Sequence, residues 1–210
     1  YKNNNTHMKI ICIGRNYIDH AKELNNPVPK VPVFFMKPDT ALIQKHNPFF
    51  YPEFSKDIHY ETELVVKISK NGRHIEERFA HKYYDEIGIG LDLTARDIQS
   101  ECKKKGLPWE IAKAFDNSAP LGDFKNKSEF EDLKKINFSL SINDEEKQKG
   151  NSSDMIFSFD QIIAYVSQFI TLKLGDLIFT GTPAGVGPIK IEYHFEAFIE
   201  GEKMLDLKIK

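Results

Sequence analysis

Cysteine is scarce. Only Cys12 and Cys102 occur in 210 residues, too few for a disulfide framework or a thiolate zinc site. An excess of one charge sign is lacking too, since 29 basic residues face 31 acidic ones for a net charge of −2. That balance argues against a nucleic-acid or anionic-membrane partner. No apolar run reaches the ~18 residues that a membrane span requires. The stretch Tyr1 to His7 lacks the basic-then-apolar layout of a secretion signal. Met8 reads as the natural first residue, with 1–7 an expression remnant. Internal repeats and Pro/Gly/Ser-rich linkers are also missing. The expectation is one domain over 8–210, in a soluble, cytoplasmic protein.

What is present points to strands. Hydrophobic residues make up 40% of the chain and aromatics 12%, enough for a well-buried core. Lys9 to Gly14 is a short apolar run ended by glycine, and Glu86 to Leu93 is another. Tyr60 to Ile68 and Asn137 to Asn143 alternate, as do Ile191 to Ile199, while Lys203 to Ile209 follows the turn Glu200-Gly201-Glu202. Asn71-Gly72 is a hairpin cue, and the polar stretch Asn143 to Ser153 reads as a hairpin loop. Helices are fewer. Ser158 to Ile170 opens with the capping box Ser158-x-x-Gln161 and carries apolar residues at helical spacing. Thr94 to Lys105 is stopped by Gly106 and Pro108, and a short helix is expected over Ile18 to Leu24. The pattern predicts a mainly β, α+β fold.

Three acidic residues draw attention. In a strand Glu61 and Glu63 project from one face, about 6.5 Å apart at Cα. Either solvent or a cation must separate such like charges. Lys67 lies on the same side, so a solvated face is one reading. Asp92 ends an apolar strand just before a helix, where it could cap that helix or complete a three-carboxylate site for a hard cation. His20 and Glu23 stand three apart on a short helix, as do Arg96 and Gln99, so each pair shares a face. Lys113 near Trp109 reads as a snorkelling lysine on residue type alone. The loop Thr180-Gly181-Thr182-Pro183-Ala184-Gly185-Val186-Gly187 lacks the Lys-Ser/Thr ending of a P-loop. It is either a tight turn or an anion cradle using backbone N–H groups and the Thr182 hydroxyl. His59 on the Glu61 face, the polar-context His46, His74, His81 and His194, and a packed Cys102 complete the inventory.

Six motifs in register resemble one family. Gly14-Arg15-Asn16-Tyr17-x-x-His20-Ala21-x-Glu23, Phe35-Met36-Lys37-Pro38 and His59-Tyr60-Glu61-x-Glu63-Leu64 come first. Gly90-x-Asp92-x-Thr94-x-Arg96-Asp97-x-Gln99, Trp109-x-x-Ala112-Lys113-x-Phe115-Asp116 and Thr180 to Gly187 come next. Together they resemble the fumarylacetoacetate hydrolase family, in particular its small acylpyruvase and hydroxymuconate-isomerase-like members. The resemblance implies a C-terminal-domain-like mixed β-roll with a pseudo-barrel and peripheral helices. It implies Mg²⁺ or Mn²⁺ on Glu61, Glu63 and Asp92, and a His20–Glu23 general base on a closing lid. It further implies that Lys113 stabilises enolate charge and that Arg15, Lys37, Arg96, Gln99 and Thr182 contact substrate. Homodimers are common in the family.

The expected substrate is a 2-keto or 2-hydroxy-enol acid. Its carboxylate and keto oxygen would chelate the metal, which then acts as a Lewis acid. If His20 activates water, an acylpyruvate is cleaved to pyruvate and a carboxylic acid; this is the leading expectation. Without water attack, the same enolate permits oxaloacetate-type decarboxylation, or isomerisation and tautomerisation. A non-catalytic metal-dependent binding protein is the most distant alternative.

Overall fold

Glycine-bounded apolar runs become strands, and the few capped amphipathic stretches become helices. The structure is a computed structural model describing residues 8–23, 27–43 and 47–210. The expected remnant 1–7, the end of the first helix at Leu24, and His46 lie outside the described residues.

In chain order the strands are β1 (Ile10–Gly14), β2 (Val33–Lys37), β3 (Ile58–Tyr60), β4 (Thr62–Ile68), β5 (Tyr84–Leu91), β6 (Thr94–Ala95) and β7 (Leu121–Asn126). They continue with β8 (Asn137–Ile142), β9 (Glu145–Asn151), β10 (Leu177–Phe179), β11 (Gly187–Pro188), β12 (His194–Ile199) and β13 (Glu202–Lys208). The helices are α1 (Ile18–Glu23), α2 (Glu77–Ala80), α3 (Arg96–Lys105), α4 (Glu110–Lys113) and α5 (Phe159–Phe169). Among the described residues they form three sheets, ordered β2-β1-β10-β4-β5-β7, β11-β3-β6 and β13-β12-β8-β9. The fold is thus α+β and mainly β, as expected. Among the described residues none of the sheets closes into a barrel.

The centre of the six-stranded sheet is buried on both faces. Leu64, Val66 and Ile68 of β4 enter the main core, while Val65 joins Ile10, Cys12, Leu177 and Phe179 on the other side. β1 pairs with β10 in parallel, Ile11 opposite Ile178, the arrangement that calls for cover on both faces. Packing α5 through Phe159, Ile162, Ile163 and Val166 stabilises the main core by about 1.5–3 kcal/mol per fully buried side chain. Its Ser158/Gln161 capping box forms as predicted.

Three local expectations are corrected. Asn71-Gly72 is not a two-residue hairpin turn: β4 reaches its partner β5 through a longer connection containing α2, and Gly72 instead bridges to Leu172. The helix expected from Thr94 begins at Arg96, because Thr94 and Ala95 pair with His59 and Ile58. Asn143 to Ser153 is mostly strand, since only Asn143 and Asp144 form the turn, at φ 50° and 67°, and β9 begins immediately after it.

A seam between two of the sheets gathers acidic residues. β3 and β4 are separated by Glu61 alone, so the chain passes there from the three-stranded to the six-stranded sheet. β5 and β6 part at Asp92 and Leu93, and the Asp92 N–H donates to the Glu61 carbonyl at 2.8 Å.

Candidate metal and active site

The seam brings three acids together. Glu61, Glu63 and Asp92 each present a carboxylate oxygen within 4.8 Å of the others. They are 5%, 1% and 1% exposed, which rules out the solvated-face reading. The predicted face is right, because Glu61, Glu63, Val65 and Lys67 do alternate with the core residues. Lys67, at the far end of that face, is solvated and pairs with Glu86, whereas its near end is covered. Asp92 does not cap α3, whose N-cap is Ala95 with no side-chain cap.

Three basic side chains meet these acids. Lys113 Nζ lies 2.8 Å from Glu61 Oε2 and 2.7 Å from Asp92 Oδ2, and is buried rather than snorkelling. Arg96 reaches Glu61 Oε1 at 2.5 Å, and Lys37 Nζ lies 2.8 Å from Asp92 Oδ1. Glu63 has no basic partner among the described residues; its Oε2 accepts the Gly181 N–H at 2.7 Å. Gly181 holds φ 102°, and a Cβ there would meet that of Asn16 at 2.6 Å, so glycine is required.

The electrostatics reflect this asymmetry. Burial opposes ionisation of Glu61, but Lys113 and Arg96 outweigh it and hold its carboxyl well below the usual range. Burial raises the Glu63 carboxyl well above that range, and the like charges of Asp92 and Glu61 push the same way. Burial disfavours the Lys113 ammonium, yet Asp92 and Glu61 raise its pKa on balance. A desolvated Glu63 carboxylate with no counter-cation among the described residues, converging with the carboxylate oxygens of Glu61 and Asp92, is a donor set that fits a hard divalent cation.

A small cavity of about 30 Å³ opens onto the acids. It is lined by Arg15, His20, Arg96, Gln99, Lys113 and Thr182 among the predicted residues. Arg96 Nη1 donates to Gln99 Oε1 at 2.7 Å, leaving the Gln99 amide nitrogen for another partner. His20 Nδ1 lies 3.2 Å from Glu23 Oε2, and the Glu23 carboxylate also accepts the Gly185 N–H. Glu23 thus ties α1 to the 180–187 loop without lining the cavity.

Lys37 does not line it either. It lies beneath, bonded to Asp92, to Ser118 Oγ and to the carbonyls of Leu93, Lys113 and Ser118, so it braces the floor. His59 pairs with Asp57 outside the cluster; His74 and His81 are exposed and Cys102 is packed, as expected, whereas His194 is only partly exposed. Two contributors have no role assigned from sequence, although the segment Lys103 to Pro108 is expected to border the pocket. Lys103 lines the cavity on α3, its ammonium 5.6 Å from the Trp109 ring centre. Gln148 on β9 is buried against Thr182, with only a run of charged neighbours to announce it.

The chain as a whole is similar to several known proteins. The mitochondrial oxaloacetate tautomerase of Mus musculus is 46% identical over 201 residues, covering 96% of this chain and 91% of the relative. The mitochondrial oxaloacetate decarboxylase of Dictyostelium discoideum is 45% identical over 186 residues, 88% of this chain and 85% of its own. The crystal structure of fumarylpyruvate hydrolase from Pseudomonas aeruginosa, in complex with Mn²⁺ and pyruvate, superposes with a TM-score of 0.90 at 35% identity. That match covers 97% of this chain and 89% of the other. These relatives are enzymes, which sets aside the non-catalytic alternative. The sequence model described as fumarylacetoacetate (FAA) hydrolase C-terminal matches residues 9–208, and this chain is accordingly an enzyme of the fumarylacetoacetate hydrolase family.

Proposed function

We propose that this protein interconverts the keto and enol forms of a short 2-oxo dicarboxylic acid of the oxaloacetate type, with decarboxylation of the same acid as a related outcome. The observation that carries this reading is the buried Glu61–Glu63–Asp92 cluster sharing one cavity with Lys113, Gln99 and His20. The names of the tautomerase and decarboxylase relatives favour oxaloacetate over the acylpyruvate expected first.

Glu61, Glu63 and Asp92 would hold Mg²⁺ or Mn²⁺, which when bound supplies Lewis acidity to a 2-oxo group. Lys113 and the free amide nitrogen of Gln99 donate hydrogen bonds to enolate oxygen, in a site already preorganised by Arg96 and Lys37. His20 moves the proton between C3 and the bulk, oriented at Nδ1 by Glu23. Tautomerisation needs no more than that, because the proton lost from C3 is balanced by one gained on oxygen. From the Thr180–Gly187 loop the Thr182 hydroxyl positions the carboxylate, since the expected backbone donors Gly181 and Gly185 already serve Glu63 and Glu23.

The His20–Glu23 pair also supports a second reading, hydrolysis of an acylpyruvate to pyruvate and a carboxylic acid, as in the similar fumarylpyruvate hydrolase. A panel of oxaloacetate, acylpyruvates and ring-fission dienoates, assayed with Mg²⁺ and Mn²⁺, separates the two. Metal-dependent acceleration of oxaloacetate enol-to-keto conversion, monitored by ultraviolet absorbance, is the expected result. Turnover of acylpyruvates alone would sink the oxaloacetate reading in favour of the hydrolase.

A further inference from the structure

Gln148 stands in a strand whose neighbours Lys147 and Lys149 face solvent, yet it is 2% exposed. Its amide spans two sheets. Oε1 accepts the Thr62 N–H at 3.0 Å, while Nε2 donates to Thr182 Oγ1 at 2.9 Å and to the Pro183 carbonyl at 3.1 Å. Two of these partners are one-way, because a backbone N–H can only donate and a carbonyl can only accept. They settle which end of the amide is oxygen and which is nitrogen. The nitrogen end therefore faces Thr182, and the Thr182 oxygen must accept. Its own proton has no acceptor among the described residues, and Thr182 lines the cavity.

We infer that Gln148 is a positioning residue which locks the Thr182 hydroxyl as a hydrogen-bond donor toward the carboxylate of the bound oxo acid. The inference rests on the reading of the cavity as an oxo-acid site. The polarity is the essential point. A glutamate at 148 would keep its acceptor for Thr62 but would present a second acceptor to Thr182, turning the hydroxyl proton away from the ligand. Thr62 lies between Glu61 and Glu63, so the same amide also pins the backbone that carries two of the acids.

The test is a double-mutant cycle on the intact protein with Mn²⁺, using oxalate as the chelating probe in calorimetry and oxaloacetate in the kinetic assay. Gln148→Glu and Thr182→Val should each raise the oxalate Kd and oxaloacetate KM about 10- to 100-fold, the loss of one hydrogen bond to a charged group. The value of kcat should change far less than KM. The double variant should be no weaker than Thr182→Val alone, because both changes remove the same donor. Gln148→Met, which keeps the length without adding charge, should give a smaller loss and covers the case where the glutamate variant fails to fold.

The inference is overturned if Thr182→Val leaves Kd unchanged, or if neither Gln148 variant weakens oxalate binding. It is equally overturned if the Gln148→Glu loss adds in full to that of Thr182→Val, since the new charge would then act on its own. The expected cycle in oxalate binding, found in a protein that does not turn over oxaloacetate, would retain the inference and remove the substrate reading.

Discussion

Glu61, Glu63 and Asp92 place ligand atoms within 4.8 Å of one another, and at the surface His194, Glu196 and Asp206 do the same. By separation alone the two groups are equivalent; their surroundings are not. The surface group is internally compensated, with His194 Nε2 2.9 Å from Asp206 Oδ1, and Lys203 2.8 Å from Glu196 and 3.1 Å from Asp206. In the buried group, cations cover Glu61 and Asp92, while among the described residues Glu63 has only a backbone N–H. Proximity of acids therefore marks little. Desolvated like charge without a counter-ion is what distinguishes a cation site from a salt-bridged surface.

The largest expected effect breaks the buried group. Glu63→Gln should bring oxaloacetate turnover below detection, and it should abolish the rise in Tm that Mn²⁺ gives the intact protein. That rise corresponds to about 2.7 kcal/mol at a metal concentration 100 times Kd. Without metal, the variant should melt no lower than the parent, because an amide replaces a charge repelled by two neighbours. A metal-free Tm well below the parent's would mean that Glu63 is structural.

His20→Asn should come next, lowering kcat/KM by about 10²- to 10⁴-fold, the usual worth of a positioned acid–base group. The Mn²⁺ shift in Tm should survive, since His20 belongs to no carboxylate pair of the buried cluster. Lys113→Met should cost about 10²- to 10³-fold in kcat, the worth of one preorganised donor. It should also lower the metal-free Tm by uncovering Glu61 and Asp92, a loss that added Mn²⁺ restores. Failure of Mn²⁺ to restore it would separate Lys113 from the cation site.

The smallest effect sharpens the other side of the comparison. Asp206→Asn should leave kcat/KM and the Mn²⁺ response unchanged and alter stability by less than about 0.5 kcal/mol, as for exposed ion pairs. The His194 hydrogen bond, with Lys203 beside it, outweighs partial burial and holds the Asp206 carboxyl below its ordinary value. Any stabilisation from it is thus present at neutral pH and fades as pH falls through that lowered value. A loss of turnover in this variant, measured at saturating metal, would make the surface group functional after all.

Much of the fold and the site was legible in the chain. Period-two alternation placed Glu61 and Glu63 on one face, and the capping box of α5 formed as written, because both are local rules. The solvation of that face was not legible. Whether a strand face meets water depends on α3, α4 and the first strands folding over it, which no window of sequence contains. Lys37 shows the same limit: its motif brought it to the site, but only packing placed it under Asp92 instead of on the cavity wall. Gln148 was hidden for a different reason. One inward residue among Glu145, Glu146, Lys147 and Lys149 carries no hydrophobic signal, so β9 resembles a solvated loop.

Gly181 links two properties that an engineer would wish to treat separately. Its missing side chain lets the N–H reach Glu63, and its left-handed backbone starts the bend that carries Thr182 to the cavity. Any replacement strains the turn and misaims the acid at once. Ion affinity and ligand grip are therefore inherited together at this residue, and selections for altered specificity should find their tolerated changes elsewhere on the cavity wall.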